Sequence, residues 1–546
     1  METTESPNQI QDNQQKVNRL GNAKIGKLLM EYAIPSIISM VANGLYNIVD
    51  AIFMGIGVGA VGQATATIAM PIMILSMSVS VLIGAGGNAL AALRLGEGKR
   101  DEAEHVLGQA FFMVIVAAVL MTTLVNIFMD PVLSISGATS DTWESAHWFI
   151  RIASIGFILQ FFGMGFNNFM RTAGDPNRAL YTMLAGTGAC ILLNFLFVIM
   201  LHMGVAGSAL ATIIGQGFSA VLVFWYFVFS KKAPFKLHKR YVKPHLRLIR
   251  SILALGSAPF FLQIAASIIN LVLNNQLAIY GAMQPIGAMG AQASVGVAAR
   301  VIMLAFFPLM GVSMAAQPIL GYNYGAQMFA RVKTAFKYAI IWVIVIGIVF
   351  WGLIHLFPYQ IATIFGMQQG PLMDYTTYVL QVQCFFMPLV GIQVISTSFF
   401  QSSGQPLKSM FLSLTRQVIY LIPLLLLLPW IEATFDPISF ITPLDAINVS
   451  YPMADGLSLI TAIIMMSIEF KKLNNRIKDA RAKYAAEKKA AEEASAITEE
   501  ASATADATGA NSDAKTTEPA PVSDVAAAAN AIADDTSAAV DKSAED

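Results

Sequence analysis

Charge is scarce in this chain. Of 546 residues, 12% are Asp, Glu, Lys or Arg and 56% are hydrophobic. A soluble domain carries about twice that share of charge, so the string of soluble domains that length alone would favour is excluded. Cysteine is nearly absent. Cys190 and Cys384 both sit in apolar runs and lack metal-ligand spacing, which excludes a disulfide framework and a cysteine metal centre and predicts two buried thiols. Catalytic signatures are missing too. There is no HExxH or GxSxG, and GNAKIGKL (21–28) has phosphate-loop spacing without the Ser or Thr after Lys27 and without a preceding strand. No enzyme, cofactor, metal or nucleic-acid partner is expected. The first 26 residues are polar and contain no apolar h-region, so no cleavable signal peptide is expected.

What the chain has is long apolar runs. They fall at roughly 28–53, 60–93, 105–129, 147–170, 177–201, 204–230, 250–280, 288–320, 333–357, 376–401, 405–430 and 451–470. Most reach the ~20 residues a helix needs to cross a bilayer. The reading is an all-α polytopic membrane protein with twelve transmembrane helices. Lys and Arg gather in the N-terminal tail, the even-numbered connections and the central KKAPFKLHKRYVKPHLRLIR. The odd-numbered loops carry Asp130, Asp141, Glu144, Asp374, Glu432, Asp436 and Asp445 and no Lys or Arg. Positive residues stay inside, so both termini are expected in the cytoplasm of a multi-pass inner-membrane protein. After Phe470 a charged stretch reads as a cytoplasmic helix extension (471–497). The Ala, Ser, Thr and acid tail (498–546) is expected to be disordered, because it has too little apolar surface to fold.

The second half repeats the first. Ala33-Ile34-Pro35 and Ala258-Pro259 open equivalent spans, with Asp50 opposite Asn274. LRLGEGKRDEA (93–103) matches YNYGAQMFARV (322–332), and MRTAGDPNRAL (170–180) matches FQSSGQPLKSM (400–410). Six spans per half make these parallel repeats about an axis along the membrane normal, with a cavity expected between them. The expected units are an N-terminal segment (1–26), an N-lobe of helices 1–6 (27–230), a basic loop (231–249) and a C-lobe of helices 7–12 (250–470), followed by the extension and the tail.

These motifs resemble the multidrug and toxic compound extrusion (MATE) family, most closely its DinF-like branch. The carrying stretches are GLYNIVDAIFMG (44–55), GGNALAALRLGEGKRDEAEHVLGQA (86–110), NNFMRTAGDP (167–176), GVAGSALAT (204–212), QPILGYNYGA (317–326) and TRQVIYLIPLLLLLP (415–429). The resemblance spans about residues 25–470. It implies a V-shaped, two-lobe exporter of cationic or amphipathic compounds, driven by a proton or sodium gradient. The alternative from the same superfamily is a flippase for lipid-linked precursors. Its anionic cargo would call for an Arg- and Lys-rich interior.

A carboxylate inside a membrane span is a functional candidate by default. Asp50 is the one carboxylate placed well inside a span by this reading; Glu31, Asp130 and Asp455 fall at span edges. Desolvation disfavours the charged form of a carboxylate, so such a group exchanges protons nearer neutral pH, and its ionised form attracts a cation. Tyr46 and Asn47 lie one helical turn before Asp50 on nearly the same face. The resemblance adds Asn168, Asn194 and Thr212 as supporting polar groups. The DinF-like pattern has a second Asp four residues after the Asn of the fifth helix, where this chain has Val198. The stretches read as helices 7 and 10 hold none of the acids that sodium-using relatives carry there. Protons are therefore the favoured coupling ion. Gln160, Phe161, Met164 and Phe166 are the expected cavity residues, suited to soft contact with organic cations. Arg300 and Arg416 read as snorkelling, and Arg94, Arg171 and Arg178 as headgroup contacts or helix caps. Small-molecule cargo, a lipid bilayer and a monomer are the expected partners and state.

Overall fold

The computed structural model describes residues 18–507 except 137, 139, 231–232, 368 and 436–441. Asp436, Lys16 and most of the expected disordered tail (508–546) lie outside the described residues. Among those described the chain is helical, and no strand is present. Ten helices are long and apolar enough to cross a membrane, and two bent pairs bring the number to twelve.

The twelve spans are α1 Ile25–Gly57, α2 Ala60–Gly96, α3 Arg100–Ile127, α4 Ser140–Ile155 with Phe157–Thr172, α5 Pro176–Asn194 and α6 Gly204–Val228. The second half has α7 Leu246–Gly281, α8 Gly287–Gly325, α9 Phe329–Leu356, α10 Pro371–Gln383 with Met387–Ser402, α11 Pro406–Leu414 continuing to Phe435, and α12 Pro443–Ala507. The last helix runs on into 498–507, beyond the point where the tail was expected to lose structure.

The repeat is closest in the middle of each half. The shift that carries Arg100 to Phe329 also carries Ile127 to Leu356 and superposes the short helix Met129–Ile135 on Pro358–Ile364. Both fourth spans of the repeat are bent, α4 by 52° and α10 by 44°. Each bend has a local cause. Gly156 lets α6 approach so closely that a Cβ there would strike Ile213, and Pro388 cannot donate to the turn before it. Sharp reversals follow each bent span, where Gly174 (φ 84°) and Gly404 (φ 73°) adopt the left-handed conformation and Pro176 and Pro406 start the next helix.

The halves are not cut cleanly at the central loop. One core is built on the first half, with Phe157, Phe161, Phe166 and Phe227 at its centre, and it takes in Ile252 and Leu255 of α7. In return Leu28, Leu29, Tyr32 and Ala33 of α1 pack with Leu309, Val312 and Ala316 of α8 in the core of the second half. The starts of α1 and α7 are thus exchanged between bundles on the face that carries the basic loops. The loop itself is fastened to α3: Gln109 Nε2 donates to the carbonyls of Tyr241 (2.7 Å) and Lys243 (2.6 Å), and His245 N–H donates to Gln109 Oε1 (2.8 Å).

Candidate functional site

Asp50 lies in the C-terminal half of α1, partly buried. Two hydrogen bonds tie this stretch to α6. Ser208 Oγ donates to Asp50 Oδ1 at 3.1 Å, and the Tyr46 and Thr212 hydroxyls share a bond of 2.8 Å. Tyr46 and Asp50 are four residues apart on α1, as are Thr212 and Ser208 on α6, so the antiparallel helices are joined by two rungs one turn apart. Sequence reasoning found Asp50, Tyr46 and Thr212 but missed Ser208. The signal available was a hydroxyl one turn before Thr212.

Asn194 closes the regular part of α5 and is fully buried. The next residues, Phe195–Met200, form a π-helical turn, a widening that recurs at functional sites. The Asn194 amide adjoins the Asp50 carboxylate, and its oxygen has no hydrogen-bond partner among the described residues. Val198, where the resemblance would put a second acid, is fully buried and leaves no room for a side chain on Gly57. Asn47 occupies α1 with its side chain outside the described ones.

Between the bundles is a cavity of about 370 Å³. Asn43, Tyr46, Gln160, Met164, Asn168 and Cys190 line it from the first half, and Leu262, Gln263, Met310, Ser313, Gln317 and Gln401 from the second. No Asp, Glu, Lys or Arg is among the described residues lining it. Asp50 therefore stands one turn beyond the cavity wall, behind Tyr46. Gln160 and Met164 face the cavity, and Ser76 donates to Gln160 Oε1 at 2.8 Å. Phe161 and Phe166 do not. They are 0% and 1% exposed in the first-half core, and Phe166 stacks on Phe162 at 4.4 Å between ring centroids. The helical period explains part of the split: Gln160, Met164 and Asn168 share one face of α4 and Phe166 lies on the far side of the helix, whereas Phe161 lies beside that face and is covered by the first-half core.

Three charged residues depart from expectation. Asp455 is not at a wet span edge: it is 5% exposed in α12 and paired with the Arg416 guanidinium from α11. Arg416 is therefore an ion-pair partner rather than a snorkelling side chain. Arg171 is neither a cap nor a headgroup contact. It is 1% exposed, and its Nε donates to Ser36 Oγ (3.1 Å) and its Nη1 to Asn167 (2.8 Å) and Asn168 (3.0 Å), stitching α1 to α4. Arg178 does remain near the basic face, with its guanidinium 5.4 Å from the Tyr226 ring centre. Cys190 and Cys384 are free and buried, and no cluster of metal-ligating side chains occurs among the described residues.

Two parallel six-span bundles enclosing an uncharged cavity, mostly apolar with a few amides and hydroxyls, are the architecture of a membrane transporter. The chain belongs to the MatE family, which it matches over residues 35–196 and 286–426, and whose members are membrane transporters and not enzymes. It is 24% identical over 408 residues to the multidrug export protein MepA of Staphylococcus haemolyticus, covering 74% of this chain and 87% of that one. Its fold is that of an outward-facing multidrug resistance MATE transporter of the MOP superfamily (TM-score 0.76, 22% identity, 84% of this chain and 98% of that chain). It is also that of a MOP superfamily transporter from Pyrococcus furiosus whose reversed binding-pocket polarity suggests a different function (TM-score 0.76, 22% identity, 84% and 98%).

Proposed function

We propose that this protein is a secondary multidrug exporter of the DinF-like branch that exchanges cationic or amphipathic compounds for protons at Asp50. The observation that carries the reading is the rung from Ser208 to Asp50, one turn beyond the cavity-lining Tyr46. Ionised Asp50 accepts from Ser208 and draws a cation toward the upper cavity. Protonated Asp50 loses that pull, and its hydroxyl can donate to the unoccupied Asn194 oxygen, which adjoins it. The amide can answer either state by turning, because it carries both a donor and an acceptor. Proton binding and cargo binding then oppose each other through Tyr46 and Thr212, without needing the same atoms. Each proton entering down a potential supplies about 2.3 kcal/mol per 100 mV.

The soft wall of Met40, Met77, Met164, Met310 and Met314 suits varied organic cations. A flippase for anionic lipid-linked cargo would need Lys or Arg in that wall, and none of the described lining residues is one. The protein acts as a monomer in the inner membrane, with both termini and the 231–249 loop in the cytoplasm. Efflux of a cationic dye from a pump-deficient strain expressing the chain, with Asp50→Asn beside it, tests the reading. Equal efflux by the two chains refutes the role of Asp50, and no efflux of any cation by the parent chain refutes the exporter.

A further inference from the structure

Sulfur is concentrated in the cavity wall. Six of the described residues that line it are methionine, whereas three are Val or Leu and none is Phe or Trp. The chain as a whole has more Phe than Met, 34 against 28. A wall that needed only to be apolar, or to hold cations against ring faces, would draw on Phe at least as often as on Met. The surplus is therefore one of sulfur rather than of apolar surface. No His, Asp or Glu is among the described lining residues, so a hard or borderline metal ion has no imidazole or carboxylate ligand there.

Three of these methionines meet where α1 crosses α8. The two helices run antiparallel and touch closely: a Cβ on Gly311 would lie 2.6 Å from Ile37 Cα, and one on Gly44 would strike the Phe307 ring. Met40 lies between the two contact points on α1. On α8, Met310 directly precedes Gly311 and Met314 follows it by three residues. At the helical rise per residue, the three positions span about 9 Å along the crossing. A helical side chain leans toward the N-terminus of its own helix. Met40 therefore leans toward the basic face and Met314 leans away from it, so the two approach each other with Met310 between them. Met310 and Met314 are one turn apart on one face of α8. All three open into the same cavity.

We propose that Met40, Met310 and Met314 form a binding site for a soft monovalent metal ion, Cu(I) or its homologue Ag(I), and that such ions are cargo alongside organic cations. Thioethers select soft ions of this kind. They are also neutral and do not titrate, so the bound ion keeps its positive charge and stays subject to the charge on Asp50. The ion occupies the space an organic cation would take, so the two compete. The export half of the proposal rests on the exporter reading, and the binding half stands without it.

The test uses the full-length chain with Cys190→Ser and Cys384→Ser, so that no thiol takes the metal. The purified protein is titrated calorimetrically with silver nitrate in chloride-free detergent buffer. One ion per chain is expected to bind well above the weak background of scattered thioethers. The triple variant Met40→Leu/Met310→Leu/Met314→Leu keeps volume and apolarity, and should weaken that binding at least about tenfold. Met70→Leu/Met200→Leu/Met289→Leu removes three exposed thioethers instead and should leave it unchanged. No tight ion in the folded chain, or an equal loss in the two triple variants, overturns the site. If the cavity triple does not accumulate, Met40→Leu and Met310→Leu are measured singly. Weaker binding is expected of each, and an unchanged affinity in both is decisive against. In a pump-deficient strain, the thiol-free chain should lower the silver content of cells exposed to silver nitrate, and the cavity triple should not. Silver bound at the three methionines with no fall in cell silver overturns its place among the cargo. Dye efflux without silver binding overturns the site and leaves the exporter reading standing. Silver binding without efflux of any organic cation retains the site and loses the exporter reading.

Discussion

Ser208 on α6 holds the Asp50 carboxylate of α1 through a 3.1 Å hydrogen bond from its hydroxyl. The bond favours the ionised acid, since a hydroxyl donor stabilises the charged acceptor. Ser208→Ala is expected to reduce pH-driven dye efflux by about tenfold or more, the effect of losing one hydrogen bond to a charged group at ~1.5–3 kcal/mol. Cargo affinity at high pH should fall less than at neutral pH, because there the acid is ionised without help. An efflux rate and a pH profile matching the parent chain would remove Ser208 from the mechanism.

The pair of Arg416 and Asp455 predicts a different signature. Both partners are largely buried, at 19% and 4% side-chain exposure, so removing one strands the other. Asp455→Ala should sharply lower the yield and thermal midpoint of the solubilised protein, in line with the ~3–5 kcal/mol lost on breaking buried pairs. The double variant Arg416→Met/Asp455→Leu should recover most of that loss. If the double variant is as unstable as the single one, the pair does more than neutralise itself.

Gln327 adopts φ 60° at the point where the repeat has Gly98 at φ 75°. A left-handed backbone costs a residue with a side chain about 1–2 kcal/mol. Gln327→Gly should raise the thermal midpoint by about a degree or two, tempered by the greater freedom of glycine in the unfolded chain. Gly98→Gln should lower it. A fall with Gln327→Gly would mean that the exposed glutamine makes a compensating contact.

Much of this was legible in the residues. The spans follow from apolar length, and the repeat from the GEGK and GDP turns and their partners. The exchange of the first turns of α1 and α7 was not legible, because apolar runs carry no record of which bundle they enter. Asp455 was misjudged because PLDAINVS looks like loop. In the structure α12 already starts at Pro443, and the polar groups of this stretch are satisfied within it: Asn448 accepts from Gln383 (2.9 Å) and donates to the Tyr375 hydroxyl (2.7 Å). Phe161 and Phe166 were assigned to the cavity by nearness to the asparagines of α4; the helical period already turned Phe166 away from the face of Gln160, Met164 and Asn168, but it left Phe161 beside that face, and only packing shows it covered. Ser208 and the cavity amides were hidden for a physical reason: a hydroxyl or amide in a span serves equally as helix glue or as a site, and only its partner tells which.

The charge asymmetry of the loops predicts sidedness. Lys243 is exposed beside α3, and Glu144 is exposed near the start of α4 on the opposite face. In a Cys190→Ser, Cys384→Ser chain, Lys243→Cys should react with an impermeant maleimide only in inside-out vesicles and Glu144→Cys only in intact cells. Labelling of Lys243→Cys from outside would invert the topology.

The coupling ion is tested through Asp50. Its neighbours are the Ser208 hydroxyl and the Asn194 amide, with no other acid acting on it among the described residues. A proton needs only this carboxylate, whereas a sodium ion takes several oxygen ligands, and charged ones bind it best. Efflux should therefore collapse with a protonophore and persist when sodium is replaced by choline. Asp50→Asn should bring efflux to background, a loss of at least about tenfold, because an amide neither exchanges a proton nor offers a charge. Asp50→Glu keeps the acid and should retain a fraction of the rate. Binding of a cationic dye should weaken as pH falls, because protonation removes the negative charge that attracts it. In Asp50→Asn the binding should be weak at every pH and flat across the range. At the equivalent position of the second half, Asn274 carries no charge, and Asn274→Ala should leave the pH dependence of efflux in place. Sodium-dependent efflux that survives Asp50→Asn would refute both the ion and the site. Proton-dependent efflux that survives it would refute the site alone and turn attention to Asp455, a buried acid of α12 whose partner Arg416 would then have to release it.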